Sequence, residues 1–100
     1  MLVLTQSEEL LFVRHVHLIS ERIKSDKPLT EDLLLFIKKL YPELFSILTR
    51  IQPEEAFIIF EKYKGHPFYR ADMEIVLSPK GKEIVIRELE IIRAHSAAEK

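Results

Sequence analysis

Apolar positions along this chain fall into blocks divided by proline- or glycine-bearing breaks, and most blocks repeat at helical spacing. Phe12, Val16, Ile19 and Ile23 recur at alternating steps of four and three, behind a Thr5 and Glu8 spaced as a capping box. The spacing predicts a first helix from Gln6 to Lys24, with Leu11 and Leu18 widening its stripe toward more than one neighbour. Asp26, Lys27 and Pro28 mark a loop. Thr30 caps a second helix, Glu31 to Leu40, with Glu31 and Asp32 at its positive end and Lys38 and Lys39 at its negative end. Leu33, Phe36, Ile37 and Leu40 form its stripe, while Leu34 and Leu35 spread apolar surface round most of the circumference. Pro42 opens a short third helix to Ile51, on which Leu44, Ile47, Leu48 and Ile51 repeat the spacing. Pro53 opens a fourth, to Lys64, with Glu54 and Glu55 in its first turn, Lys62 and Lys64 in its last, and Gly65 placed for a left-handed C-terminal residue.

After Gly65-His66-Pro67 the period changes. Tyr69, Ala71, Met73, Ile75 and Leu77 alternate with Arg70, Asp72 and Glu74, which reads as a half-buried strand from Tyr69 to Leu77. Such a strand needs a partner for its backbone, and Leu2 to Leu4, a second copy of the chain, or Ile84 to Ile86 would serve. The last choice requires Ser78 to Gly81 to be a hairpin turn. The favoured reading makes Ser78 an N-cap and Pro79 the first position of a helix to His95, because Val85, Leu89 and Ile92 continue at helical spacing. The expected fold is mainly α: a single small globular domain over residues 1–100, with five helices, one main strand or small wing-like hairpin, and a frayed tail at 96–100.

Leu77-Ser78-Pro79-Lys80-Gly81-Lys82-Glu83 resembles the junction after the wing in winged-helix regulators of the multiple-antibiotic-resistance and PadR kinds. Phe60-Glu61-Lys62-Tyr63-Lys64-Gly65 is similar to the end of a recognition helix entering a wing, and Arg70 and Asp72 sit where such wings carry charge. The likeness covers about residues 57–93. It implies a winged-helix DNA-binding protein whose phosphate contacts come from Lys62, Lys64 and Arg70. Two features depart from the family pattern: there is one helix more than the pattern places, and Glu54 and Glu55 open the supposed recognition helix, where they would repel phosphates.

Composition narrows the classes. At 100 residues one domain is expected, burying about two-thirds of its unfolded surface. A 47% apolar share supports a core, and a 31% charged share gives a well-solvated surface. The absence of cysteine removes disulfides, thiolate zinc sites and thiol catalysis. The net charge of -1 divides into seven basic and seven acidic residues in positions 1–50 and eight and nine in 51–100, so neither half is a polycation. Met1 to Gln6 lacks the basic flank and apolar core of a signal peptide, and no apolar run reaches spanning length, so a cytoplasmic protein with no membrane partner is expected.

Candidate chemistry is sparse. His15 and His17 sit about 200° apart round a helix and cannot share an ion there, and His17 with Glu21 lacks a second pair, so no metal site is expected. The carboxylate pairs fit first turns and solvated faces, which leaves no catalytic residue and no cofactor to predict. The most informative polar stretch is Lys62 to Arg70, where Lys62, Lys64, His66 and Arg70 occur without an acid and interleave with Tyr63, Phe68 and Tyr69. One reading is a small transcription-regulator-like protein on double-stranded DNA, those four residues touching phosphates and Ser46, Thr49 and Arg50 facing bases. The other is a non-enzymatic helical interaction module, indicated by excess apolar surface at Leu18, Leu34, Leu35 and Phe45, with a homodimer seam through Leu34 and Leu35.

Overall fold

The computed structural model describes residues 4–98, with side chains to residue 97. Among them run seven helices: α1 (Gln6–Arg14), α2 (Val16–Ser25), α3 (Glu31–Leu40), α4 (Pro42–Arg50), α5 (Pro53–Tyr63), α6 (Arg70–Val76) and α7 (Pro79–Ala98). The caps follow local chemistry. The Glu8 N–H donates to Thr5 Oγ1 at 3.2 Å while the Thr5 N–H donates to Glu8 Oε1 at 3.1 Å, closing a capping box on α1. The Leu33 N–H donates to Thr30 Oγ1 at 3.2 Å to start α3. Prolines stand at the first position of α4 and α5, where their missing N–H costs no helical bond. No glycine has positive φ, so the left-handed turn expected at Gly65 does not form; that conformation belongs to Asp26, φ 51°, at the end of α2.

The expected first helix is two. The His15 Nδ1–H donates to the Leu11 carbonyl at 2.9 Å, taking the acceptor that the His15 backbone N–H would use in an unbroken helix. That N–H turns to Phe12 O instead, at 3.1 Å, and the chain bends between α1 and α2. His15 then rests edge-on against Tyr41, ring centroids 5.4 Å apart.

The expected strand is also a helix, and the five-helix fold with a strand or wing-like hairpin is corrected to an all-helical one among the described residues. Period-two spacing places Val76 on the polar side, yet Val76 and Met73 are fully buried and Tyr69 is half-buried. Those positions lie at i, i+4 and i+7, a helical stripe that the alternation concealed. A helix also supplies its own backbone partners: the Met73 N–H donates to Tyr69 O at 2.8 Å and the Leu77 N–H to Met73 O at 3.0 Å. With no strand there is no wing, and the residues on which the winged-helix resemblance rested form α6 and the start of α7. Of the proposed strand partners, Ile84 to Ile86 are helical and residues 2–3 lie outside the described range. α7 continues helical through the expected frayed positions to Ala98; residues 99–100 are outside the description.

Ser78 turns the chain between them. Its Oγ donates to Ile75 O at 2.7 Å and accepts from the Gly81 N–H at 3.0 Å, so Ser78–Gly81 is a helix start and not a hairpin turn. α7 then packs across α2, α4, α5 and α6, while α2 lies on α6 and α1 on α4 and α5. Phe12 and Phe60 stack at its centre with ring centroids 5.3 Å apart and 20° between planes. Leu34, Leu44, Phe45, Ile47 and Ile92 belong to the same apolar cluster.

A Cβ on Gly81 would stand 2.0 Å from the Ile75 carbonyl oxygen and 3.0 Å from that of Val76. Both obstacles are backbone at the end of α6. Alanine ordinarily gains about 1 kcal/mol over glycine inside a helix, but overpacking against fixed atoms costs about 1–3 kcal/mol or more, so the clash wins. Gly81→Ala is expected to lower the urea midpoint clearly. Gly65→Ala, with nothing within 4 Å of the added carbon, should leave it the same or raise it; equal midpoints for the two variants would contradict the corner described here.

Candidate interaction surface

α3 is the helix the rest of the fold uses least. It packs chiefly on α4, and it is anchored by Leu34, 3% exposed, with Leu33 and Ile37 half-buried beside it. On the opposite side Leu35, Phe36 and Leu40 stand 46%, 54% and 54% exposed, with Asp32 and Lys39 exposed among them. A ten-residue helix with an apolar stripe on each side has one stripe more than its own core uses.

The loop feeding α3 is pinned from below. Arg22 on α2 donates from Nη2 to Glu88 Oε2 on α7 at 2.8 Å and to the Lys27 carbonyl at 2.6 Å, with both paired side chains mostly buried. Under α3, between α2, α4 and α7, lies an apolar cavity of about 60 Å³ whose edge carries Arg22 and Glu88. Leu18, expected at an interface, lines this cavity. Leu34 and Phe45, expected there too, are buried in the core at 3% and 6% exposure, so only Leu35 of that group presents outward surface. The signal that separates them is position: Leu34 sits on the side of α3 facing α4, and Leu35 one helical step away does not.

The basic residues divide differently. Lys62 donates from Nζ to Glu9 Oε1 at 2.7 Å, and the Tyr63 hydroxyl donates to the same oxygen at 3.2 Å. Glu9 is 4% exposed. Its place on the core side of α1, in line with Phe12, Val13 and Val16, was a legible sign of a buried acid needing a cation, and the reading of the sequence missed it. Glu55, expected as a first-turn surface charge, is buried as well, and its Oε2 accepts from the Leu4 N–H at 3.1 Å. The hydrogen bond to Glu9 holds the Lys62 pKa above its ordinary value, and burial, followed by the bond to Glu9, raises that of Tyr63. A raised lysine contributes fully at neutral pH and loses its contribution only as pH climbs past about 10.5.

Arg50 is likewise spent on the fold. It pairs with Glu8 of α1 and donates from Nε to Ser46 O at 3.2 Å, while Thr49 Oγ1 donates to the same carbonyl at 2.8 Å. The hydrogen bond from Arg50 to Glu8 is the chief reason the Glu8 pKa lies below its ordinary value. Ser46, Thr49 and Arg50 thus form a local knot on α4, and α4 packs on α1, α3 and α7. In the α5–α6 loop Lys64, His66 and Phe68 are exposed, Phe68 to 84%, and Arg70 is exposed at the start of α6. His66 Nδ1 accepts from the Phe68 N–H at 3.2 Å, and its ring lies 5.1 Å from that of Tyr69.

Among the described residues no three potential metal ligands converge, and no helix is long and apolar enough to cross a membrane. Comparison with protein-family models, with curated proteins and with solved structures returned no match for this chain.

Because Lys62 covers a buried carboxylate, Lys62→Glu is expected to lower the urea midpoint, whereas Lys64→Glu should leave it unchanged. The sequence alone treats the two lysines as equivalent surface charges. Matching midpoints in parallel denaturation curves would show that the Glu9 contact contributes nothing to stability.

Proposed function

We propose that this chain is a non-enzymatic helical docking module that presents the outer face of α3 to a helix of another chain. The observation that carries this reading is the contiguous exposure of Leu35, Phe36 and Leu40 on a helix whose inner face is already seated on α4. Single exposed apolar residues are ordinary on a protein surface, whereas a grouped patch with polar residues at its margin is the usual form of a binding site. Glu31 and Lys38 supply that margin. A helix laid along such a stripe engages it through residues one turn apart.

The regulator reading has less behind it. Without a wing its phosphate-contacting group rests on the α5–α6 loop alone, Lys62 and Arg50 are engaged within the fold, and the Ser46 face lies on a helix packed elsewhere. Lys64, His66 and Arg70 beside Phe68 are what remains to attract a phosphate backbone.

Two measurements separate the readings. A photoreactive phenylalanine at position 36 is expected to give a discrete cross-linked product in cells that express the chain, and the same group at Ile58, 57% exposed on α5, should give none. Equal products from both positions, or none from either, would remove α3 as a docking surface. Titration of the wild-type chain against labelled duplex DNA should show no saturable binding even at low salt; a steep salt-dependent affinity would return the nucleic-acid reading to first place.

A further inference from the structure

We infer that the occupant of the α3 surface is a second copy of this chain, docked through its own α3 in antiparallel orientation about a two-fold axis that passes between Leu35 and Phe36. This rests on the docking reading and adds to it a partner and a register.

The evidence is the symmetry of the exposed face. At about 100° per residue, Asp32 and Lys39 lie within about 20° of a common line along the outer side of α3, and Leu35 and Phe36 flank that line at about 50° on either side. All four side chains are exposed. Turning this pattern end over end reproduces it with opposite charge. Asp32 falls opposite the partner's Lys39 and Lys39 opposite the partner's Asp32 along the central line, while Leu35 lies beside the partner's Leu35 on one flank and Phe36 beside the partner's Phe36 on the other. A parallel arrangement would instead set aspartate against aspartate and lysine against lysine. Antiparallel docking also aligns the positive end of each helix with the negative end of the other. An isologous interface demands a surface complementary to itself, and α3 carries one. A helix of unrelated sequence would need the apolar stripe but would place no such condition on the charges.

Size sets the strength. A ten-residue helix is about 15 Å long, so the seam buries less than the standard protein interface of about 1,600 Å² and falls in the weak, exchanging class. Leu35 and Phe36 provide the apolar contact, and Leu40, about 90° round the helix from the central line, stands at its margin. Exposed ion pairs contribute little affinity and chiefly select orientation.

The experiment is sedimentation of the full chain from about 10 µM to about 1 mM, the range in which a weak dimer dissociates. Wild type is expected to pass from monomer to dimer across it. Asp32→Lys and Lys39→Asp should each weaken association roughly tenfold, because two attractive pairs become two repulsive ones. The double variant Asp32→Lys/Lys39→Asp should recover to within about threefold of wild type, and an equimolar mixture of the two single variants should form heterodimers at wild-type strength. A purely local effect on the helix predicts the reverse, since the double variant opposes the helix dipole at both ends and would be the worst of the set. Should a charge reversal lose helix by circular dichroism, Asp32→Asn and Lys39→Gln replace it, each expected to weaken association less.

A chain monomeric to 1 mM, or a double variant no better than the singles, overturns the self-pairing. If that monomer still gives a discrete product with another protein from position 36, docking stands and only the partner is wrong. If it gives none, both fall together.

Discussion

The fold turns on the close passage of one backbone past another at Gly81. α6 ends with carbonyls pointing into the first turn of α7, and only a residue without a side chain lets the two segments approach so nearly. Ser78 completes the corner by donating to one helix and accepting from the other. The direction of α7 follows from that corner, and α7 in turn is the surface on which α2, α4, α5 and α6 meet.

Charge performs a second structural task. Glu9 with Lys62 and Tyr63 joins α1 to α5, Arg22 with Glu88 joins α2 to α7, and Glu55 receives the Leu4 N–H. Each contact links segments far apart in sequence, and each buried carboxylate would be costly without its donors. One consequence reaches the surface: cations that look available for a ligand in the linear chain are partly committed to the interior. The electrostatic case for a nucleic-acid interface weakens for the same reason that the core holds together.

α3 stands apart from both devices. Its entry is tied by Arg22 to the Lys27 carbonyl, its exit by the turn at Tyr41 and Pro42, and its inner side closes an apolar cavity. Those ties fix where the helix sits without covering its outer face. The result is an apolar stripe held in place with ordered charges, which would serve the proposed docking better than a loop of equal composition because less conformational freedom would be lost on association.

Much of this was legible in the linear order of residues. Thr5 with Glu8, Thr30, Pro42, Pro53 and Ser78-Pro79 mark helix starts that the structure keeps, because capping and proline geometry are decided within one turn of chain. The charge order of α3 was readable in the same way, but its outer face was not: spacing set Phe36 and Leu40 in one stripe with Leu33 and Ile37 and treated Leu34 and Leu35 alike, whereas Leu34 is buried and Leu35, Phe36 and Leu40 are exposed. Three things were decided only with tertiary contact. The break at His15 joins a local bond, its Nδ1–H taking the Leu11 carbonyl that spacing assigns to the backbone, to a tertiary one, its ring resting on Tyr41 of a later segment. The helical state of 70–76 depends on Tyr69, Met73 and Val76 finding one buried surface together, when a period of two fits the same letters nearly as well. Whether a lysine is a surface charge or the cover of a buried acid depends on which helix lies beneath it, and Lys62 and Lys64 differ for no other reason. Local chemistry sets where helices begin, whereas burial, a property of the packed whole, sets which face points inward and which stays exposed.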